Sequence, residues 1–525
     1  MVLFGDKAGR FRITISLSLM KYIHAKNKRR QKFIKKNKKS ELDNWGYDPP
    51  AIHDLSTIDK PSIRAGKNIP EEMILEIEKS GVYLGLDKEY GKGYYVGKSS
   101  KDDGNILIAG INGSGKSYIC AKSIIETWRE PFVVLDCKGE LYTHYLSLQS
   151  EGRVQRKPLL FDPLIDNTHY NPFAILQNDD IHFEENVCEI AYSLIPQMPK
   201  NPNDYWSDMA RDLLAATIIY GFSIKLDFIE TMAIAVKFSG FELCNKINQS
   251  NIELAKDHIR DMAGLKEEQL AAIGTDMKRY IRIFATDPCI QTALSSSENK
   301  RTFTWEDFST IAETPNIFLR LSQDRLEQWG SMTRLMITQL IRTLERRPDK
   351  QSFQRQNTKP VLLLLDEFPL LGKMDAITNA LTTLRSKKVT FCLMIQSIAQ
   401  LDAIYGQDIR KIIVDNCQYK VLFNITEPDS QEYFSRLIGS VPIARRGLSQ
   451  SYNPYTDLIT YGQQIQEFRE PWILPHEFAT NKDIWIHSPY GFLSALKLPV
   501  SVTHHHVNDF KKKLEQYVRR QYDVQ

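Results

Sequence analysis

The stretch Gly110-Ile111-Asn112-Gly113-Ser114-Gly115-Lys116-Ser117 constrains this chain more than any other. It follows the apolar run Asn105 to Ala109 and leads into a helix expected from Tyr118 to about Trp128. Strand, glycine-rich loop and helix in that order let consecutive backbone N–H groups and the positive end of the helix converge on one anion. The spacing GxxxxGK[ST] makes this a candidate nucleotide site. Gly110 and Gly115 permit close backbone approach, Lys116 would reach the β- and γ-phosphates, and the Ser117 hydroxyl would ligate Mg2+. Gly110, Ile111, Asn112, Gly113, Ser114, Gly115, Lys116, Ser117 and Tyr118 are the expected contacts to ATP. The competing reading is a glycine-rich turn with a chance Lys-Ser.

A long chain of 525 residues, 42% apolar and 25% charged, has enough material for two or more cores without covalent staples. Its seven cysteines form no CxxC pair, which argues against a zinc site or a disulfide framework and fits a reducing compartment. The longest apolar runs, such as Val361 to Leu365, fall far short of the ~20 residues that cross a bilayer. The net charge of +4 is unevenly placed, because Lys21 to Lys39 holds about ten basic residues and no acid. Such a run suits anionic lipid, nucleic-acid phosphate, or simply a solvated tail.

Ahead of the basic run, Ile13, Ile15, Leu17 and Leu19 alternate with Thr14, Ser16 and Ser18, a strand period that would also fit the last stretch of a spanning segment. Val82 to Leu86 and Tyr94 to Gly97 flank a Gly-containing turn and predict a hairpin. Pro131 to Asp136 and Pro158 to Asp162 read as short buried strands, each ending in Asp where a parallel sheet presents its functional loops. Strands alternating with helices predict an α/β fold with a twisted, mostly parallel, doubly wound sheet. From Phe183 to Ala293 helical periodicity takes over, and strand signals return at Asn316 to Leu321 and Pro360 to Leu365. The expected organisation is a basic segment over 1–40, a nucleotide-binding domain over 41–182 and 294–503, an all-α domain inserted over 183–293, and an amphipathic tail over 504–525.

Val361 to Glu367 is a wholly apolar strand ending in two acids, the form of a Walker B element. Hydrolysis needs two carboxylate tasks: Asp366 would hold the Mg2+ shell and Glu367 would polarise the attacking water. The alternative is a pair of acids capping the next helix. Leu393 to Ser397 reads as a further strand, and the amide of Gln396 at its end could sense a γ-phosphate without adding charge. His504-His505-His506 cannot close one metal site, since adjacent side chains point different ways. The tail that follows would pack on its own domain or bind a partner.

In this order the residues resemble the TraG/TraD-type coupling proteins of type IV secretion and conjugation, within the wider FtsK/HerA group of ring-shaped DNA-pumping ATPases. The likeness runs from about Gly104 to Pro499. Gly110 to Ser117 matches the family's glycine loop, Asp136 to Leu141 its D-x-K-G-E-L segment, and Asp162-Pro163 with Asn171-Pro172 its next signature. Tyr205, Trp206 and Ala210 fall where the family opens its all-helical domain. Leu365 to Phe368 with Leu371-Gly372, and Ile395 to Ser397 with Gln400-Leu401 and Tyr405-Gly406, match its later motifs.

The resemblance implies a RecA-like P-loop domain in a homo-hexameric ring that couples ATP hydrolysis to movement of relaxase-linked single-stranded DNA, or of protein substrates, into a type IV secretion channel. By position, Arg385 matches the arginine supplied to the neighbouring subunit's ATP, and Gln396 matches the sensor glutamine. A plain basic patch is the other reading of Arg385. Three departures stand out. The two spanning helices usual before the basic stretch are absent or cut short, so the expected place is the cytoplasmic face of the bacterial inner membrane, peripheral or anchored by a missing or partner segment. Asn112 replaces a usual Thr, and Lys387 and Lys388 stand where a glycine is common. Three functions fit: a secretion motor, a DNA pump with no secretion partner, and a receptor that binds nucleotide without turnover.

Overall fold

A computed structural model describes residues 2–5, 11–14, 74–75, 81–87, 93–96, 104–177, 181–196, 204–295, 301–306, 314–348, 359–453 and 458–500. The basic run, most of the Ile13 to Leu19 alternation, the three histidines and the C-terminal tail lie outside the described residues. The chain divides into two units, 1–62 and 63–525. In the first, β1 (Val2–Gly5) and β2 (Phe11–Thr14) form an antiparallel pair.

The second unit is built on a 12-stranded sheet. Its strands are β3 (Ile74–Leu75), β4 (Val82–Asp87), β5 (Gly93–Val96), β6 (Ile106–Ala109), β7 (Phe132–Leu135) and β8 (Pro158–Phe161), then, after a small pair β9 (Thr168–Tyr170) and β10 (Arg301–Phe303), β11 (Asn316–Leu319), β12 (Val361–Leu365), β13 (Val389–Ile395) and β14 (Tyr419–Leu422). A separate hairpin, β15 (Ser440–Asn453) and β16 (Leu458–Pro471), precedes β17 (Asp483–Ser488) and β18 (Gly491–Leu496), which return to the sheet. The order is β3-β5-β4-β18-β17-β14-β6-β13-β12-β7-β11-β8. From β14 to β8 every pairing is parallel, and from β17 to β3 every pairing is antiparallel. The expected hairpin is β4 with β5, Val82 opposite Val96.

The apolar runs become central strands because both faces are covered. Leu107, Val133, Leu363 and Leu393 belong to one core with the helical segment and the helix Gly330–Glu345. Ile106, Ile108, Val134, Leu362, Leu364 and Met394 face the other core, under the helices Lys122–Thr127 and Glu140–Ser150. Alternation along each strand splits its residues between the two cores.

Between β9 and β10, which pair in parallel, the described residues contain helices and no strand. Asp204–Ser223 and Glu267–Thr286 pack together, with Phe228–Lys237 and Gly240–Asn248 against them. Asp227 with Glu230 and Ser239 with Glu242 close capping boxes, each satisfying otherwise orphaned N–H groups at a helix start. Gly240 and Gly274 allow the backbones to meet, since a Cβ on Gly240 would stand 1.9 Å from Leu270 O. The segment is tied to the sheet layer by Phe183–Leu194, which packs on both Asp204–Ser223 and Gly330–Glu345. A second tie runs from Trp329 Nε1 to Asp287 Oδ2 at 3.0 Å. No helix among the described residues is long and apolar enough to cross a membrane.

Candidate nucleotide site

Parallel register brings the carboxyl ends of six strands to one edge. Ala109 lies beside Ile395, Leu393 beside Leu365, Leu365 beside Leu135, and Leu319 beside both Leu135 and Phe161. The residues that follow are Gly110, Gln396, Asp366, Asp136, Arg320 and Asp162. Ligand loops belong at this edge of an open α/β sheet.

The glycine loop is pinned at its entrance. Gly110 N–H donates to Ile395 O at 3.2 Å and Ile111 N–H to Asn424 O at 2.8 Å. Ser114 Oγ closes the turn on Ile111 O at 2.7 Å. Gly115 has φ +98°, and a Cβ there would stand 2.8 Å from Ile119 Cδ1. Gly113, at φ +77°, occupies the same left-handed region, which L side chains rarely adopt. The helix begins earlier than the sequence suggested, with a wide π-type turn over Lys116–Ala121 before Lys122–Thr127, and Tyr118 is exposed on it.

Lys116 is buried, and its Nζ donates to Gly110 O and, at 3.2 Å, to Ile111 O. Burial lowers its pKa to about 8, against the pull of Asp366 and Glu367. Ser117 Oγ lies 3.3 and 3.4 Å from the two carboxylate oxygens of Asp366. Asp366 is 5% exposed, and burial, helped by the charge of Glu367, raises its pKa to about 6. Glu367 is buried too, with its backbone in the left-handed region at φ 58° and ψ 49°. The structure thus brings Lys116, Ser117, Asp366 and Glu367 into one neighbourhood.

Gln396 follows β13 on the same edge, half-buried, its N–H held by Gln400 Oε1 at 3.0 Å. Arg385 is not among them. It is exposed on the turn Leu384–Lys387, ahead of β13, at the opposite edge of the sheet. The rise of a strand puts those edges roughly 20 Å apart. Sequence reasoning assigned no role to Lys138, whose Nζ lies 3.2 Å from Glu367 Oε1. Its only signal was membership of the Asp136 to Leu141 segment.

The donor set fits a magnesium nucleotide. A hydroxyl and a carboxylate stand close enough to share one divalent cation's shell, the oxygen chemistry Mg2+ selects. Beside them lie a lysine and a loop held open by left-handed glycines, as an anion cradle requires.

A parallel sheet that delivers a glycine loop, its lysine and two strand-end acids to one edge is the nucleotide-binding arrangement of RecA-like P-loop proteins. The chain belongs to the family described as type IV secretory system conjugative DNA transfer, whose model matches residues 53–483. It is 22% identical over 456 residues to a conjugal transfer protein TraG of Escherichia coli, covering 80% of this chain and 69% of that one. It is 27% identical over 357 residues to a VirD4 protein of Rhizobium radiobacter, covering 66% of this chain and 49% of that one. In fold it resembles the bacterial conjugative coupling protein TrwBdeltaN70, with a TM-score of 0.61 at 16% identity over 82% of this chain and 90% of that one. TrwB solved with ADP and Mg2+ gives a TM-score of 0.58 at 14% identity, over 81% of this chain and 90% of TrwB.

Proposed function

We propose that this coupling protein is an ATPase whose turnover drives DNA, protein substrates or both toward a type IV secretion channel. The observation that carries the reading is the approach of Ser117 Oγ to Asp366 at 3.3 Å, which joins two motifs distant in sequence. Lys116 would leave its loop carbonyls for the β- and γ-phosphates, and Ser117 with Asp366 would hold Mg2+. When bound, that ion would neutralise charge on the phosphate oxygens. Glu367 takes the proton of the attacking water, and Gln396 orients that water or reads the terminal phosphate. An intact water-activating acid speaks against a receptor without turnover.

Family membership and position support the remaining roles. Arg385, far from its own subunit's loop, suits service to a neighbour's nucleotide in a homo-hexameric ring, so hydrolysis depends on assembly. The helices between β9 and β10 form the surface that receives a relaxase-linked single strand or a secreted protein. The protein works at the cytoplasmic face of the bacterial inner membrane, held there by the basic N-terminal segment or by channel components.

Lys116→Ala tests the proposal in a mating assay and an ATPase assay run in parallel. Both activities are expected to disappear together. Transfer at the parental rate would remove the motor reading.

A further inference from the structure

Lys138 occupies a place that neither the glycine loop nor the paired acids require a cation to fill. It sits in the turn after β7, and its backbone is fixed from both sides. Tyr142 N–H donates to Asp136 Oδ2 at 2.8 Å ahead of it. Behind it, Gly139 has φ +72°, and a Cβ there would stand 2.7 Å from Arg320 Nε. What can move is the side chain, 44% exposed where that of Glu367 is 10% exposed. Burial opposes the ammonium charge, but the hydrogen bond to Glu367 and the charges of Glu367, Asp366 and Glu140 outweigh it and raise the pKa. Lys138 therefore stays cationic at neutral pH.

A carboxylate that accepts a lysine N–H has part of its electron density committed and is a poorer base for water. The contact at 3.2 Å is thus a restrained state of the water-activating acid. Release needs a stronger anion within reach of a flexible cation. The terminal phosphate of a nucleoside triphosphate carries more charge than one carboxylate, and a diphosphate lacks it.

We infer that Lys138 is a positioning residue with two stations, resting on Glu367 until a triphosphate binds and then moving to its terminal phosphate. The inference rests on the nucleotide-site reading proposed above. It makes release of the base conditional on a terminal phosphate, so the product diphosphate leaves Glu367 restrained.

The test uses the full chain with Mg2+, a fluorescent non-hydrolysable ATP analogue and ADP. Lys138→Met is expected to weaken the analogue roughly tenfold, the scale of one charge-assisted contact, and to leave ADP within about twofold. Lys138→Arg, which keeps the cation, restores most of the analogue's affinity. Without nucleotide, Lys138→Met lowers the melting temperature of the parent but has little effect in a Glu367→Gln background, where the carboxylate is gone. Equal weakening of both nucleotides, or no weakening of either, would make Lys138 a structural partner only and overturn the inference. Failure of the site reading looks different: Lys116→Ala then binds both nucleotides as the parent does, and the inference falls with it.

Discussion

The two edges of the central sheet both bury charge, and they do so to opposite ends. At the amino edge Arg347 is buried between the starts of β12 and β13, where its guanidinium donates to Lys359 O and Lys387 O. Burial lowers its pKa to about 10, and among the described residues its partners are carbonyl oxygens, with Nε buried and without a hydrogen bond. At the carboxyl edge Lys116, Asp366 and Glu367 are buried against one another, with shifts on Lys116 and Asp366 that both disfavour the charged form. A charge anchored to backbone carbonyls is a staple. Charges held close and desolvated together are poised to accept a ligand.

The contrast holds within one subunit, and the largest expected effect sharpens it by asking whether exposed Arg385 at the amino edge serves a neighbouring subunit's nucleotide and not its own. Arg385→Ala is expected to cut turnover by about 10³ to 10⁵ with nucleotide affinity unchanged. Mixing it with Lys116→Ala subunits should recover part of the rate, because some interfaces then pair an intact arginine with an intact loop. No recovery would mean that Arg385 acts on its own subunit or not at all.

Arg347→Met probes the staple. Removing the cation leaves two carbonyls without their donor, so stability should fall by about 2–4 kcal/mol in denaturant titration. Turnover per folded molecule should hold. A loss of turnover without a loss of stability would erase the distinction between the edges.

Asp366→Asn gives a smaller effect of opposite sign. Because the folded pKa of Asp366 is raised to about 6 from 3.8, ionising it costs the nucleotide-free fold stability above pH 6. The Asn variant should therefore melt higher there, by the equivalent of about 1–3 kcal/mol. That advantage shrinks as pH falls from 6 toward 3.8, and turnover is lost throughout. A variant that melts lower at pH 7.5 would show that the carboxylate is not under strain.

The edge itself was largely legible in the sequence, for a physical reason. Strands such as Val361–Leu365 and Phe132–Leu135 are buried on both faces, so they read as unbroken apolar runs, and the polar residue ending each run marks the carboxyl edge. β13 was seen only from Leu393, although Val389 to Cys392 also belong to it and are buried. The antiparallel flank was missed beyond β4 and β5. Asp483–Ser488 and Gly491–Leu496 mix polar with apolar positions, and the sequences of β15 and β16 carry no sustained apolar alternation. Lys138 was passed over because a lysine in a turn normally signals solvent. Its meaning depends on β7 lying beside β12, which is a fact of strand order and not of local pattern.

The account stands or falls on whether the carboxyl edge performs hydrolysis. Glu367→Gln keeps the shape and the cradle while removing the base, so single-turnover ATP hydrolysis measured at saturating nucleotide isolates that step. It should bind ATP at least as tightly as the parent and hydrolyse it about 10² to 10⁴ times more slowly. Hydrolysis at the parental rate would contradict the assignment of this edge as the engine.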